Sequence, residues 1–116
     1  MKDDLRQKKC SPCKGNEKPL HGDSLSHYFA KLMNDWDLVE EHHLEKEFSF
    51  KNFKQALDFV NKVGALAEQE GHHPDIFLTW GKVILKIWTH KIKGLSENDF
   101  ILAAKCDEIF KANYEL

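Results

Sequence analysis

The sequence predicts an α+β fold: a two-layer sandwich in which helices cover one face of a mostly antiparallel four-stranded sheet. Helical and strand periodicities follow one another in the order helix, two strands, helix, two strands, helix. Each pair of strands is joined by a short turn, and strands joined in this way can pair only antiparallel. With 116 residues, 41% of them hydrophobic, the chain is long enough for a single core.

A change of composition divides the chain into a polar N-terminal arm, residues 1–23, and a single domain, residues 24–116. The first 24 residues contain six Lys or Arg, two prolines and two glycines, and are almost devoid of apolar residues apart from Leu5 and Leu20. A segment of this kind buries little surface. We therefore expect it to be either loose or docked on the domain.

The first helix and the first hairpin are predicted between residues 24 and 50. Ser24 is the expected N-cap of a helix that ends near Asn34, with one apolar face formed by Leu25, Tyr28, Phe29 and Leu32. Strands are predicted at 36–40 and 44–50, with a turn at 41–43. Lys46 interrupts the apolar side of the second strand, as is tolerated at a sheet edge.

The longest helix is predicted to begin after Asn52, a good N-cap that can form a capping box with Gln55. It is predicted to end at Gly71, and Pro74 follows to stop the helix. Its apolar spacing predicts a buried stripe of six residues: Phe53, Ala56, Leu57, Val60, Gly64 and Ala67.

The second hairpin and the last helix complete the domain. Residues 75–89 are predicted to form two strands separated by a break near Trp80. The second strand places four residues on one face: Val83, Leu85, Ile87 and Thr89. A turn at 91–94 leads to Ser96, the expected cap of the last helix. The buried sector of that helix is predicted to hold Leu102, Ala103, Cys106, Ile109 and Phe110.

Charge and cysteine content exclude several classes of protein. The net charge is −2 with no concentrated basic region, so nucleic acid is not an expected partner. No apolar run approaches the ~20 residues of a membrane span, and the polar N-terminus does not resemble a secretory signal. Three cysteines, an odd number, indicate a reduced, cytoplasmic compartment. Phosphate-loop and dinucleotide-binding glycine motifs are also absent from the sequence.

Histidines are the main candidates for chemistry, because imidazole can both donate and accept a proton near neutral pH. Five of the seven lie at predicted strand ends or turns: His42, His43, His72, His73 and His90. Pro74 favours an extended His73, so the His72 and His73 side chains should point in opposite directions. One of the pair could face a cleft, although two solvated loop histidines fit the pattern equally well. His90, at a strand end beside Trp88, is by itself more typical of a surface position.

Asp99 lies three residues after Ser96, the position of a capping-box acid. Its helical angle also falls within the apolar sector of the last helix. A carboxylate directed along a buried stripe requires a partner, because an unpaired buried charge is costly. The partner could be the N-terminal amides of the helix or a nearby histidine.

Metal or redox chemistry is a weaker alternative. Cys10 and Cys13 form a C-x-x-C pair, but a closed zinc site would also need His21 and His27, and no strand-to-helix context supports a redox motif. A catalytic zinc held by His72, His73 and His90 is also conceivable, although adjacent histidines rarely converge on one ion.

Taken together, a set of spaced residues resembles the pterin-4a-carbinolamine dehydratases: Glu68, His72, His73, Pro74, Trp80, His90, Gly94, Leu95 and Asp99. The resemblance covers about residues 24–110. It implies an α-β-β-α-β-β-α fold and removal of water from a 4a-hydroxytetrahydropterin, with no metal or organic cofactor. By resemblance, His72 and His90 are catalytic and His73 binds substrate. Asp99 and Glu68 support the site, and Trp80, Trp88 and Thr89 complete it. Ile76 departs from relatives that have an aromatic residue there.

The resemblance also implies partners. The substrate would be a pterin carbinolamine, produced in an aromatic amino acid hydroxylase pathway, and the chain would form a homo-dimer or homo-tetramer. Neither nucleic acid nor membrane is an expected partner. Because animal relatives also act as dimerisation cofactors of a transcription factor, a protein-interaction module without catalysis is the alternative function.

Overall fold

The computed structural model describes residues 5–12, 15–32 and 35–114. Short 3-10 helices at Leu5–Gln7 and His90–Ile92 accompany the main elements, which in chain order are α1 (Gly22–Phe29), β1 (Asp37–Val39), β2 (His43–Ser49), α2 (Phe53–Glu70), β3 (Asp75–Thr79), β4 (Lys82–Ile87) and α3 (Glu97–Asn113). The predicted order of helices and strands is therefore confirmed.

The four strands form one sheet in the order β1-β2-β4-β3, with every neighbouring pair antiparallel. Alternation along the two central strands buries one face of the sheet, through Leu44, Phe48, Val83, Leu85 and Ile87. The helices pack against this face and against one another. The α+β architecture predicted from the sequence is thus confirmed.

Both ends of α2 follow the sequence signals. The Asn52 side chain accepts a hydrogen bond from the Gln55 backbone N–H at 2.9 Å, and the Gln55 side chain accepts one from the Lys51 N–H. At the other end Gly71 adopts a left-handed conformation with φ +68°, which glycine reaches without steric cost. This turn sends the chain directly into β3.

The buried stripe predicted for α2 is confirmed at Ala56 and Ala67 but is wrong at Phe53 and Leu57. Phe53 and Leu57 are 43% and 40% exposed, whereas the residues in the core are Ala56, Phe59, Val63 and Ala67. At ~100° per residue the observed stripe is rotated by roughly 70° from the predicted one. The helix has apolar residues on more than one face, and its packing against the sheet and α3 selects the face through Phe59 and Val63.

The first helix and hairpin differ from prediction in their bounds. α1 begins at Gly22, with His21 at the N-cap, and Ser24 lies inside the first turn, where its hydroxyl donates to the His21 carbonyl. The helix ends at Phe29; Asn34, its expected end, lies outside the described residues. In the hairpin the turn falls on Glu40 and Glu41, both left-handed, so that His43 already belongs to β2.

The edge position predicted for Lys46 is confirmed in part: β2 lies between β1 and β4, but its pairing with β1 ends at Glu45, so Lys46 pairs with Leu85 of β4 and has no partner in β1. Its ammonium group is 2.7 Å from an Asp107 carboxylate oxygen, and the Trp36 indole N–H donates to the other oxygen at 2.8 Å. Lys46 is therefore tolerated on the apolar face because a largely buried carboxylate neutralises it.

The described part of the N-terminal arm is docked on the domain. Leu5 is buried among core residues and its short helix packs on α3. Further along, the Leu20 N–H donates to the Leu95 carbonyl at 2.8 Å. The division into an arm, 1–23, and a domain, 24–116, remains a prediction. Among the described residues, no helix is long and apolar enough to cross a membrane.

Candidate active site

A cavity of about 270 Å³ opens where α2 ends and β4 ends. Its lining consists of three residues that follow α2 (Gly71, His72 and His73), four that follow β4 (Trp88, Thr89, His90 and Lys91) and Ser11 from the arm. The three histidines predicted to be catalytic or substrate-binding therefore share one cavity.

Strand pairing explains why residues so far apart in sequence meet. β3 and β4 are antiparallel, with Asp75 opposite Lys86. The segment entering β3 therefore lies beside the segment leaving β4. His72 and His73 lie just before β3, separated from it by Pro74, and His90 follows β4 by three residues. The hairpin thus brings imidazoles from both segments to the same end of the sheet.

One wall of the cavity is held by a buried carboxylate. His72 Nε2 lies 2.5 Å from Asp99 Oδ1, and Asp99 has no solvent exposure. Asp99 Oδ2 accepts hydrogen bonds from the Thr89 hydroxyl at 2.7 Å and from the Ser96 backbone N–H at 2.8 Å. Asp99 thus has both partners considered for it, a histidine and a helix-terminal amide. Because His72 Nε2 is committed to Asp99, Nδ1 is the ring nitrogen left for chemistry.

The part of the lining that follows β4 is more exposed at His90 and rests on aromatic contacts. The His90 ring packs edge-on against Trp88 at a centroid distance of 4.0 Å. On another side Trp88 contacts the His42 ring at 4.4 Å, and its indole N–H donates to Asp75 at 3.3 Å. Within the described residues, His90 has no carboxylate partner.

Of the remaining predicted site residues, Glu68 reaches the cavity only through its pair with His73, and Trp80 lies away from it. His73 Nε2 pairs with Glu68 Oε2 at 2.5 Å, and both side chains are largely exposed. Trp80 lies at the β3–β4 turn and is 67% exposed. Since the cavity is at the opposite end of the hairpin, the five residues of β3 separate it from Trp80 by roughly 17 Å.

Ser11 and Lys91 line the cavity but were missed by sequence reasoning. Lys91 directly follows His90, so its position in the chain was a usable signal. Ser11 lies in the polar arm, where no periodicity or motif marks it.

The residues named for metal or redox chemistry are described only in part. Across residues 5–12, 15–32 and 35–114, no three His, Cys, Asp or Glu side chains are arranged to hold a metal ion. Burial and the nearby Glu70 carboxylate raise the pKa of Cys10 to about 12, and the thiol donates to the Asn98 carbonyl. Cys10 therefore remains a neutral thiol near neutral pH. Cys13 lies outside the described residues.

A sequence model of the family described as pterin 4 alpha carbinolamine dehydratase matches residues 18–109. The chain belongs to this family. A provisionally named pterin-4-alpha-carbinolamine dehydratase from Alkaliphilus metalliredigens is 53% identical to this chain, over 90% of this chain and 94% of the relative. A relative with the same provisional name from Rubrobacter xylanophilus is 50% identical, over 91% of this chain and 98% of the relative. A crystal structure described as a transcriptional coactivator/pterin dehydratase from Brucella melitensis has a TM-score of 0.73 and 26% identity, covering 79% of this chain and 98% of that one.

The cavity brings together side chains that are able to donate and accept protons. Imidazoles lie on two walls, one oriented by a buried carboxylate and the other by an indole ring. This arrangement agrees with membership of the dehydratase family, and the resemblance noted in the sequence is confirmed.

Proposed function

We propose that the chain is a 4a-hydroxytetrahydropterin dehydratase, a hydro-lyase that removes water from the 4a-carbinolamine to give quinonoid dihydropterin. The family match and the names of the relatives support this activity. The observation that carries the proposal for the site is that His72, His73 and His90, from two separate segments, line one cavity.

The elimination requires an acid and a base. Hydroxide is a poor leaving group, so an acid protonates the 4a-oxygen as the C4a–O bond breaks and water departs. The lone pair of a ring nitrogen forms the new C=N bond, and a base removes a ring proton. One proton enters and one leaves, so the pterin loses only water. Each proton transfer is typically worth 10²–10⁴ in rate.

We assign the base to His72 and the acid to His90. When His72 accepts a proton at Nδ1, the buried Asp99 carboxylate stabilises the positive charge, as an aspartate does for a histidine base in other enzymes. His90 has access to solvent, from which it can regain its proton. His73, paired with Glu68 at the exposed side of the cavity, is assigned to substrate binding.

Stopped-flow absorbance of freshly made carbinolamine tests this proposal. Replacement of His72 or His90 by Ala is expected to lower the catalysed rate by about 10²–10⁴. The matched control is His27→Ala, because His27 is exposed on α1 and does not line the cavity. A near-normal rate in the His72/His90 double variant would rule out the mechanism.

The same assay with a strong chelator tests the zinc alternative. Unchanged activity after chelation is expected for histidine acid–base catalysis, whereas loss of activity that is restored by zinc would favour a metal-dependent reaction. If the chain has no dehydratase activity under any of these conditions, the interaction module becomes the better assignment.

We also propose that the chain forms a homo-dimer or homo-tetramer. Large apolar side chains are exposed on α2 and on the edge strand β3: Phe53, Leu57, Ile76 and Phe77. Exposed apolar clusters and open strand edges are typical of interfaces, and a second copy of the chain is the proposed occupant. Light scattering should show a multimer for the unmodified chain and a smaller species for Leu57→Glu. A monomeric unmodified chain would contradict this proposal.

The biological setting follows from the chemistry. An aromatic amino acid hydroxylase is the proposed source of the carbinolamine, and the cytoplasm is the proposed compartment. These assignments depend on the dehydratase activity and would be abandoned with it.

A further inference from the structure

The arm crosses the end of α2 and the first turn of α3, and it is anchored at both. The Cys10 backbone N–H donates to Glu70 Oε1 at 2.8 Å. The Asn98 side chain bonds to both backbone groups of Ser11, the residue after Cys10. Its Oδ1 accepts from the Ser11 N–H at 3.0 Å, and its Nδ2 donates to the Ser11 carbonyl at 2.7 Å. The backbone position of Ser11 is therefore fixed by side chains of the domain.

The residues that anchor the arm are neighbours of the residues that form the site. Asn98 immediately precedes Asp99, and Glu70 precedes His72 by two residues. Glu70 is itself held by Lys105 at 2.7 Å, with both side chains largely buried. The anchors of the arm and the His72–Asp99 pair thus share the same two helix ends.

Further contacts hold the arm on its N-terminal side. Lys8 forms an ion pair with Glu97 at 2.7 Å, and Leu5 is buried in the core.

On the other side of the anchors, Gly15 approaches the Lys91 side chain at the cavity. A Cβ on Gly15 would lie 3.8 Å from Lys91 Cβ. The described arm therefore runs along one side of the cavity.

Ser11 is the arm residue that reaches the cavity, where it joins His72, His73 and His90 in the lining. Its side chain is solvent-exposed while its backbone is held on both sides by Asn98. We propose that Ser11 is a substrate-binding residue, whose hydroxyl hydrogen-bonds a polar group of the bound pterin, and that the arm forms one wall of the site. This inference rests on the proposed dehydratase function.

Asn98 is then a positioning residue, since it acts on the substrate only through Ser11. Loss of its amide should release the Ser11 backbone and weaken substrate binding more than it slows the chemical step. Its contribution is therefore expected in KM rather than in kcat.

Two substitutions at Ser11 test the proposal by steady-state kinetics. Ser11→Ala removes one hydrogen bond and is expected to raise KM about two- to tenfold with kcat nearly unchanged. Ser11→Phe places a ring in the cavity and is expected to raise KM by more than tenfold. The matched control is Lys9→Phe, which adds the same ring at an exposed arm position outside the cavity lining. Unchanged KM in Ser11→Phe would overturn the proposal.

A third variant, Asn98→Leu, separates positioning from a general loss of structure. It should raise KM and speed hydrogen exchange of the amides of residues 8–11, while the core amides of α2 exchange as before. Fast exchange in the arm with an unchanged KM would overturn the role of the arm as a wall of the site.

Failure of this inference can be distinguished from failure of the proposed function. If His72/His90 double substitution abolishes dehydration while Ser11→Phe behaves normally, the function stands and the inference is wrong. If the unmodified chain shows no dehydration, titration with a stable dihydropterin, followed by tryptophan fluorescence, still tests Ser11. Weaker binding by Ser11→Phe would then support the binding role alone. Equal binding, or no binding by the unmodified chain, would overturn it.

Discussion

The two walls of the cavity hold histidines in very different ways. His72 is tied by its Nε2 to a fully buried carboxylate, which also receives hydrogen bonds from a hydroxyl and from a helix-terminal amide. His90 is exposed, and its ring packs perpendicular to the Trp88 indole. One imidazole therefore has a fixed orientation and a nearby negative charge, whereas the other has access to water and freedom to adjust. This difference suits one of them to hold a new positive charge and the other to exchange a proton with solvent.

The residue that orients His72 also contributes to the stability of the fold, unlike the residue that contacts His90. Asp99 caps the first turn of α3 through the Ser96 N–H and orients His72 with its other oxygen. A change at Asp99 should therefore affect both stability and activity, whereas a change at Trp88 should affect mainly activity. Each of the following substitutions tests one side of this comparison.

The largest effect is expected for Asp99→Asn. Replacing the carboxylate removes the charge that stabilises protonated His72 and leaves buried donors poorly matched. We expect kcat to fall by about 10²–10⁴ and the free energy of unfolding to fall by about 1–3 kcal/mol. The rate is measured by stopped flow and the stability by urea denaturation.

Asp107→Asn is the matched control for Asp99→Asn. Asp107 is also a largely buried carboxylate with two side-chain donors, Trp36 and Lys46, but neither donor lines the cavity, whereas Asp99 bonds to His72 and Thr89, which do. The Asp107→Asn variant should lose a similar amount of its free energy of unfolding, and its kcat should stay within a few-fold of that of the unmodified chain. Equal loss of kcat in the two variants would mean that Asp99 acts only through stability.

A smaller effect is expected for Trp88→Ala on the opposite wall. Without the indole, the His90 ring loses the surface that orients it, and a poorly placed catalytic group costs about ten- to a hundredfold in kcat/KM. The control is Trp80→Ala, a similar loss of an indole at the far end of the same hairpin. If both variants had the same kcat/KM as the unmodified chain, the aromatic contact would have no role in placing His90.

The sequence predicted the elements that depend on local signals. The capping residues Asn52 and Gly71 and the alternation in β4 identified the ends of α2 and the buried face of the sheet. Which face of α2 is buried was not predictable in this way, because Phe53 and Phe59 belong to different apolar faces of the same helix. Periodicity gives the angle between residues, whereas packing against a neighbouring element selects the face.

The same distinction applies to the site. His72, His90 and Asp99 were identified partly from their local positions and partly from resemblance, and antiparallel pairing of the hairpin explains why His72 and His90 line one cavity. Ser11 could not be identified, because its place depends on long-range hydrogen bonds from Asn98, 87 residues away. A polar arm carries no pattern from which such contacts can be inferred.

The smallest effect is expected from the anchor of the arm at Glu70. Burial opposes ionisation of this carboxyl, but hydrogen bonds from Lys105 and from the Cys10 N–H outweigh it, so its pKa lies below the usual value. The stabilisation is therefore complete above the unfolded pKa of ~4.3 and is lost as the pH falls through the lower folded value. Glu70→Gln should cost about 1–3 kcal/mol at pH 7, and this difference from the unmodified chain should shrink as the pH falls below about 4.

Urea denaturation at pH 7 and at pH values below 4 measures this difference. Glu47→Gln is the control, since Glu47 forms only an exposed ion pair with Lys82 at 3.8 Å and should contribute little at any pH. A cost of Glu70→Gln that stays constant from pH 7 into the acid range would show that the carboxylate charge does not hold the arm. In that case the backbone of Ser11 would depend mainly on Asn98, and Asn98→Leu should release the arm at Ser11 while Lys8 and Leu5 still hold its start.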